Sequence, residues 1–237
     1  MTAEQWARTV RHQLRLGRLL PLGGPRDGAW ISEEAARTVL RAAAEGLRGV
    51  RLGTVRLGLA RPEDTHEPAV PAPPSALPPG PLRLAAEFEA TPAQPLPVTA
   101  ELLRTALAGA AKELLGLEIG EVDLRVTALL DEDAERSPVR APEPPRPAEA
   151  GPGDETLAGV AALAVPGVVG LTGLLGRPVH IEDRESGDGS LPRRHVRVEL
   201  AVGADRRALD VAREVRAAVG AALSDAPTVA VLVTALV

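Results

Sequence analysis

The stretch Val165-Pro166-Gly167-Val168 ends a helical pattern and begins a strand, and Leu47-Arg48-Gly49-Val50 does the same earlier in the chain. After each of these turns come an alternating strand, a second helix and a last strand rich in valine. The chain therefore contains one small unit twice. Stacked solenoids usually need about three or more repeats, so two copies predict a pseudo-symmetric protein.

The two copies have the same order of predicted elements. The first copy covers residues 29–132 and the second covers residues 154–237. Strands with one apolar face predict small mixed sheets that helices cover on one face. The sequence thus predicts an α+β protein of two related α-β-β-α-β domains, and the repeat predicts the same strand order in both.

Local signals place the beginnings of the first helix in each copy. Ser32 is a favoured N-cap, and Glu33 and Glu34 follow it at the positive end of the helix dipole. Asp154 is predicted to cap the corresponding helix of the second copy, which would pack through Leu157 on its apolar face. Both copies therefore open with a capped helix.

Two segments are too rich in proline for a helix or a central strand. Residues 62–81 are predicted to form an extended, mobile loop between two strands of the first copy. Residues 133–153 are predicted to be a stiff, solvated linker between the domains. The segment that precedes the loop is predicted to be one strand, or two short strands broken near Gly53.

Residues 1–28 form a basic N-terminal segment, predicted to be a helix from Glu4 to Leu20 followed by a turn. Its apolar stripe begins at Trp6, and its arginines share a neighbouring stripe: Arg8, Arg11, Arg15 and Arg18. Two interpretations stay open. The helix packs its Trp6 stripe on the first copy, or it is a basic arm that touches an anionic membrane surface or a partner.

Composition restricts the possible functions. The chain has no cysteine, which excludes disulfides, thiolate metal sites and cysteine nucleophiles. A net charge of −5 argues against a general nucleic-acid binder, and the near absence of aromatic residues removes stacking platforms. No apolar run reaches the roughly 20 residues that span a bilayer, and no secretory signal is visible, so we expect a cytoplasmic protein.

The histidines give the most specific chemical alternative. His180 and His195 flank a predicted hairpin, where they could bind a divalent metal together with a carboxylate. The simpler interpretation is two exposed histidines on edge strands. The glycines of residues 170–176 are not followed by the Gly-Lys-Ser/Thr of a phosphate-binding loop. We therefore expect no catalytic residue, no metal and no cofactor.

The last strand, from Val229 to Val237, is apolar at nearly every position. Such a strand must be covered on both faces, and the helices of its own domain can cover only one. This predicts that Leu232 and Leu236 lie in a contact between the domains or between protomers.

Several stretches together resemble the bacterial alkaline-shock proteins, the envelope stress response family. They are Gly28-Ala29-Trp30-Ile31-Ser32-Glu33-Glu34, the helix end Val160-Ala161-Ala162-Leu163-Ala164-Val165-Pro166-Gly167-Val168, and the region from His195 to Val237. The chain departs from the family in having two domains and in Val202-Gly203, where the family has Tyr-Gly. The resemblance implies a non-catalytic, cytoplasmic protein that associates with itself and sits near the membrane through a separate anchor protein.

The sequence therefore predicts an interaction or scaffold protein of the envelope stress response. Its expected partners are a second copy of itself or a related single-domain protein, together with a membrane-anchor protein, and no specific nucleic acid. Two alternatives stay open. One is an anion- or nucleic-acid-binding module that uses the basic N-terminal arm. The other is a small metal-dependent hydrolase that uses the His180/His195 hairpin.

Overall fold

The computed structural model describes residues 17–131, 146–184 and 193–237. The strands in these residues are β1 (Leu19–Leu22), β2 (Ala29–Ser32), β3 (Val50–Leu59), β4 (Leu82–Ala90), β5 (Ile119–Leu129), β6 (Val168–Leu171), β7 (Val179–Arg184), β8 (Arg193–Val202) and β9 (Thr228–Leu236). The α-helices are α1 (Glu33–Glu45), α2 (Leu96–Ala110), α3 (Asp154–Leu163) and α4 (Ala208–Ala222). A π-helical turn, Ala111–Leu115, continues α2.

The first half forms a three-stranded sheet in the order β3-β4-β5. Strand β3 runs antiparallel to β4, and β5 runs parallel to β4. The register between β3 and β4 shifts between Leu52 and Val55. Of the two predicted alternatives, β3 is therefore one strand, with an irregular pairing near Gly53.

The second half has the same strand order within a larger, six-stranded sheet. Strands β6 and β7 together run antiparallel along one edge of β8, and β9 runs parallel to the other edge. The α+β class is therefore confirmed, and so is the expectation of equal strand order in the two copies. The second copy differs in splitting its first strand into β6 and β7.

A hairpin from the N-terminal side of the chain joins the sheet of the second half. Strands β1 and β2 pair antiparallel, and β2 runs parallel to β9 with Trp30 beside Leu232. Leu19 and Leu20 thus lie in a strand and not in the predicted N-terminal helix, because both are buried on opposite faces of this hairpin. The rest of that helix lies outside the described residues.

Both halves contribute to one main core on the helix-covered side of the sheets. Leu84 and Phe88 of the first half and Val198 and Val231 of the second are completely buried in it. Ser32 links the halves, since its hydroxyl donates to the carbonyl of Thr234 at 3.1 Å. The same hydroxyl accepts from the Ala35 amide at 3.2 Å, which confirms the predicted N-cap.

A second, smaller cluster lies on the other face of the six-stranded sheet. It contains Leu19, Trp30, Val70, Ala230 and Leu232, all buried. Val70 belongs to the proline-rich loop, which also accepts a bond from the Trp30 indole N–H at the Leu77 carbonyl (3.3 Å). The prediction of a mobile spacer at 62–81 is therefore wrong, because this loop covers an apolar sheet face.

Helix α3 also packs differently from its predicted orientation. Its small residues Ala158, Gly159 and Ala162 are buried, whereas Leu157 and Val160 are 53% and 61% exposed. Small side chains permit the close approach: a Cβ on Gly159 would lie 2.8 Å from the Ala150 Cβ and 3.2 Å from Leu171. The predicted cap at Asp154 is also wrong, since the N-cap is Gly153 and no side chain caps this helix.

The proline-rich linker is described only from residue 146 onward. There the Ala148 amide donates to the Leu171 carbonyl at 2.9 Å, and Ala150 packs against the main core. The end of the linker is thus attached to β6, while Arg146, Pro147 and Glu149 are exposed to solvent as predicted. The segment 132–145 lies outside the described residues.

Candidate interaction surface

The open face of the three-stranded sheet is the side that α1 and α2 do not cover. Charged residues alternate along its strands and form cross-strand ion pairs: Arg51–Glu89 (2.8 Å), Arg83–Asp123, and Arg125–Glu87 (4.0 Å). These pairs are exposed, so each contributes no more than about 1 kcal/mol to folding. The face is therefore a solvated, mixed-charge surface.

A shallow hollow of about 320 Å³ lies in this face. It exists because small Ala85 stands between Arg56 and Asp123 in one cross-strand row. Its wall also includes Thr54 and the charged side chain of Arg125. Such an open, charged hollow suits contact with a polar surface better than enclosure of an apolar ligand.

Strand β5 forms one border of the same sheet. Among the described residues, no strand pairs with its outer edge. Its last residues leave apolar side chains in solvent, with Val126 37% and Leu129 63% exposed. A long strand with an unpaired edge presents a row of backbone donors and acceptors, which makes it a template for pairing with another chain.

Other exposed apolar side chains lie on two helices. Helix α2, which packs on β5, exposes about half of Val98 and Leu102. Helix α3 exposes Leu157 and Val160, close in sequence to exposed Val169 of β6. Scattered apolar residues are ordinary on a surface, but these lie on one face of each helix.

The predicted contact residues of the last strand lie inside the chain. Leu232 is completely buried beside Trp30 and Val70, so residues of the first copy cover it. Leu236 is half-buried and packs against the main core. Of the two predicted kinds of contact, Leu232 makes the one between the two copies, and its side chain is not accessible to another protomer.

Polar groups also lie on this covered face, beside Leu232. Glu199 pairs with Leu232 across β8 and β9 and is completely buried. One carboxylate oxygen accepts from the Leu175 amide at 3.0 Å. The other has no hydrogen bond and lies 3.4 Å from a guanidinium nitrogen of Arg197. Burial raises the pKa of Glu199 to about 7, against the opposing effects of the Leu175 amide and Arg197.

The histidines do not form the predicted pair of exposed edge residues. His195 is only 5% exposed, and its Nδ1 is 2.9 Å from the Thr228 hydroxyl. Burial, with the Arg184 guanidinium second, lowers the pKa of His195 to about 4. His180 is half-exposed, and its Nε2 lies 3.6 Å from Glu182. Within residues 17–131, 146–184 and 193–237, no three His, Asp or Glu side chains are grouped as metal ligands would be.

The predicted basic arm is described only at its end. Trp6, Arg8, Arg11 and Arg15 lie outside the described residues. Arg18 is exposed, and its main chain exchanges bonds with Glu33: its carbonyl accepts from the Glu33 amide at 2.8 Å, and its amide donates to the Glu33 carboxylate at 3.4 Å. This holds the beginning of the hairpin to the first turn of α1.

A depression between α4 and the proline-rich loop is lined by Arg193, Arg213 and Arg216. Two of these arginines already have structural partners. Arg213 makes a bidentate pair with Asp27 (2.8 and 3.1 Å), and Arg216 donates to the carbonyl of Arg26. These contacts hold the N-terminal hairpin to α4, and of the three arginines Arg213 has its charge balanced by Asp27.

In comparisons with known proteins, no family model and no curated protein matches this chain. A search of solved structures finds a variant of the MamM C-terminal domain. It is 17% identical, and the similarity covers 40% of this chain and 92% of that one, with a TM-score of 0.27. A TM-score this low carries no argument about fold or function.

None of the helices in residues 17–131, 146–184 and 193–237 is long and apolar enough to cross a bilayer.

The edge of β5 is the feature that sequence patterns did not single out. Periodicity shows which residues of a strand share a face, but it does not show which edges of a sheet are paired. The repeat aligns β5 with β9. If the pairing of β2 with β9 had been known, the outer edge of β5 could therefore have been identified from the sequence.

Proposed function

We propose that this chain is a non-catalytic interaction protein that associates with itself through its exposed strand and helix surfaces. The observation that supports this most is β5, an edge strand with a bare outer edge among the described residues and exposed apolar residues at its end. Edges of this kind are normally shielded by charge, proline or a covering segment.

The test is sedimentation velocity of the full chain over a wide range of concentration. Self-association gives a species of at least twice the mass of the 24.6 kDa chain, in an amount that grows with concentration. A chain that sediments as a monomer up to hundreds of micromolar would contradict the proposal.

The resemblance to the alkaline-shock proteins extends this proposal to a place in the cell. In this extension the protein is cytoplasmic, belongs to the envelope stress response and is recruited to the membrane by a partner protein. The experiment is capture of the tagged chain from its native cells with and without envelope stress. A membrane protein that is captured in stoichiometric amount supports recruitment. Recovery of the chain with soluble proteins alone contradicts it.

A further inference from the structure

The two halves of the chain differ in the pairing of the corresponding sheet edge. In the second half, the outer edge of β9 carries β2, which adds a parallel strand to the sheet. In the first half, β5 holds the position of β9, and no strand in the described residues pairs with its outer edge. The chain itself thus shows that this edge of the repeated unit accepts an added strand.

The sequence of β5 is complementary to itself when two copies of the strand are aligned antiparallel. Asp123 and Arg125 stand on either side of Leu124, on the open face of the sheet. Their side chains are 51% and 80% exposed, although each has an ion-pair partner on β4. On the helix-covered face, Val122 and Val126 flank the same leucine.

We propose that the outer edge of β5 pairs antiparallel with β5 of a second copy, about a two-fold axis through Leu124. This inference rests on the proposed self-association and names its surface. The pairing sets Asp123 opposite Arg125 twice and Val122 opposite Val126 twice. Opposite charges and apolar pairs directly across two strands are stabilising. A two-fold contact of this kind closes on itself as a dimer.

Other registers are less favourable. A shift of one residue places apolar side chains opposite charged ones on each face, because side chains alternate along a strand. A shift of two residues sets Asp123 opposite Asp123 or Arg125 opposite Arg125. Like charges directly opposite each other are destabilising. The Asp123 register also sets Glu121 opposite Arg125 twice, but only the register about Leu124 combines two opposite-charge pairs with no like-charge pair.

The structure also limits the length of this pairing. The register between β4 and β5 shifts after Leu82 and again after Phe88, so β5 is regular only from Glu121 to Val126. Antiparallel pairing about Leu124 fits within this regular segment. It would continue the sheet of one copy into that of the other, with both α2 helices on the same face, where Val98 and Leu102 offer further apolar area.

The experiment uses the absence of cysteine from the chain. Asp123→Cys and Arg125→Cys are made separately, with tags of different size, and each is oxidised mildly alone and in a 1:1 mixture. Directly opposed residues on antiparallel strands have Cα atoms about 4.5–5.5 Å apart, which is within the range that a disulfide spans. The expected result is a covalent heterodimer in the mixture and several-fold less covalent dimer with either variant alone.

Charge-reversal variants test the same register without a covalent bond. Arg125→Asp alone and Asp123→Arg alone set like charges opposite each other, and each should weaken the dimer up to about tenfold. Mixing the two variants restores both opposite-charge pairs in the heterodimer, so association should recover. Thermal melting of each variant checks that its fold is intact.

Each outcome has a separate meaning. If the parent dimerises but the mixture of cysteine variants gives no heterodimer, the β5 pairing is wrong and the proposed self-association stands. If Asp123→Cys alone cross-links better than the mixture, the register is wrong. If the parent is a monomer at every concentration, both the pairing and the proposed function fail.

Discussion

At the scale of single residues, the strongest constraints come from polar groups that the fold buries. Glu199 and His195 lie on the same face of β8, and both have pKa values moved toward the neutral form of the side chain. Burial is the largest cause in both, because a charged group loses its hydration in the interior. These shifts make the stability of the protein depend on pH in opposite directions.

Ionisation of the buried Glu199 at higher pH should lower the free energy of unfolding, and Glu199→Gln should remove this loss. The folded protein holds the Glu199 proton more tightly than the unfolded chain does. The free energy of unfolding therefore falls as pH rises from about 4.5 to about 7 and is lower above that range. The variant should match the parent near pH 4.5 and exceed it above pH 7, by about 3 kcal/mol. Urea unfolding across this range measures the difference, and Glu113→Gln on the surface is the control. Identical pH profiles for parent and Glu199→Gln would contradict the argument.

His195→Ala and His180→Ala should differ, although the sequence pattern favoured two exposed histidines. His195 is buried and bonded to Thr228, so its loss should lower stability at neutral pH by about 1–3 kcal/mol. His180→Ala should stay within about 0.5 kcal/mol of the parent.

The parent should also lose stability as pH falls from 6.5 to about 4, since the folded state binds the His195 proton more weakly than the unfolded state. His195→Ala should lack this acid-side loss. Thermal melting at several pH values tests both expectations. Equal melting temperatures for the two alanine variants would show that the buried histidine has no structural role.

At the scale of elements, β9 is the strand on which both copies depend. Its residues Val229, Val231 and Val233 pack in the main core, and Ala230 and Leu232 pack in the smaller cluster. Its edges carry β8 on one side and β2 on the other. A strand apolar on both faces is stable here because helices cover one face and the proline-rich loop covers the second.

Leu232→Asp should destabilise the protein by several kcal/mol. The aspartate would be stranded beside Trp30 and Val70 in a contact without water, and burial of an unpaired carboxylate is strongly unfavourable. Leu163→Asp on α3 is the control, since Leu163 is 48% exposed and should tolerate the change. Chemical unfolding of both variants measures the effect. A Leu232→Asp protein as stable as the parent would mean that the loop does not cover this face.

At the scale of the whole molecule, the two copies are not independent. The Val231 amide donates to the Gly28 carbonyl at 3.0 Å, and the Ser32 hydroxyl donates to the Thr234 carbonyl. Together with the shared core, these bonds join the N-terminal hairpin and α1 to the second half. Two small units that would each have a marginal core are combined into one larger core.

The chain should therefore unfold in one cooperative transition in spite of its duplication. Trp30 lies between the halves, so its fluorescence reports their separation in a Trp6→Phe background. Circular dichroism reports the helices of both halves. The two signals should give the same urea midpoint and the same slope, as a two-state transition requires. Two separate transitions would show that the halves fold as independent domains.

The sequence by itself determined the local properties of this protein. The repeat predicted the common strand order, alternation predicted the two faces of β4 and β8, and Ser32 predicted the beginning of α1. These are properties of neighbouring residues, since side-chain period, capping and backbone freedom act over a few positions. The all-apolar last strand also implied that a second covering segment exists.

Only the tertiary structure decided which segments meet. Nothing in the periodicity of residues 19–32 shows that this hairpin pairs with β9, and nothing in the composition of residues 62–81 shows that the loop covers Leu232. The burial of His195 and the exposure of Leu157 likewise depend on which segments pack against β8 and α3. Local patterns determine which residues of an element share a face. Which distant segment covers that face depends on how the whole chain packs to bury its apolar surface, and this is not a property of neighbouring residues.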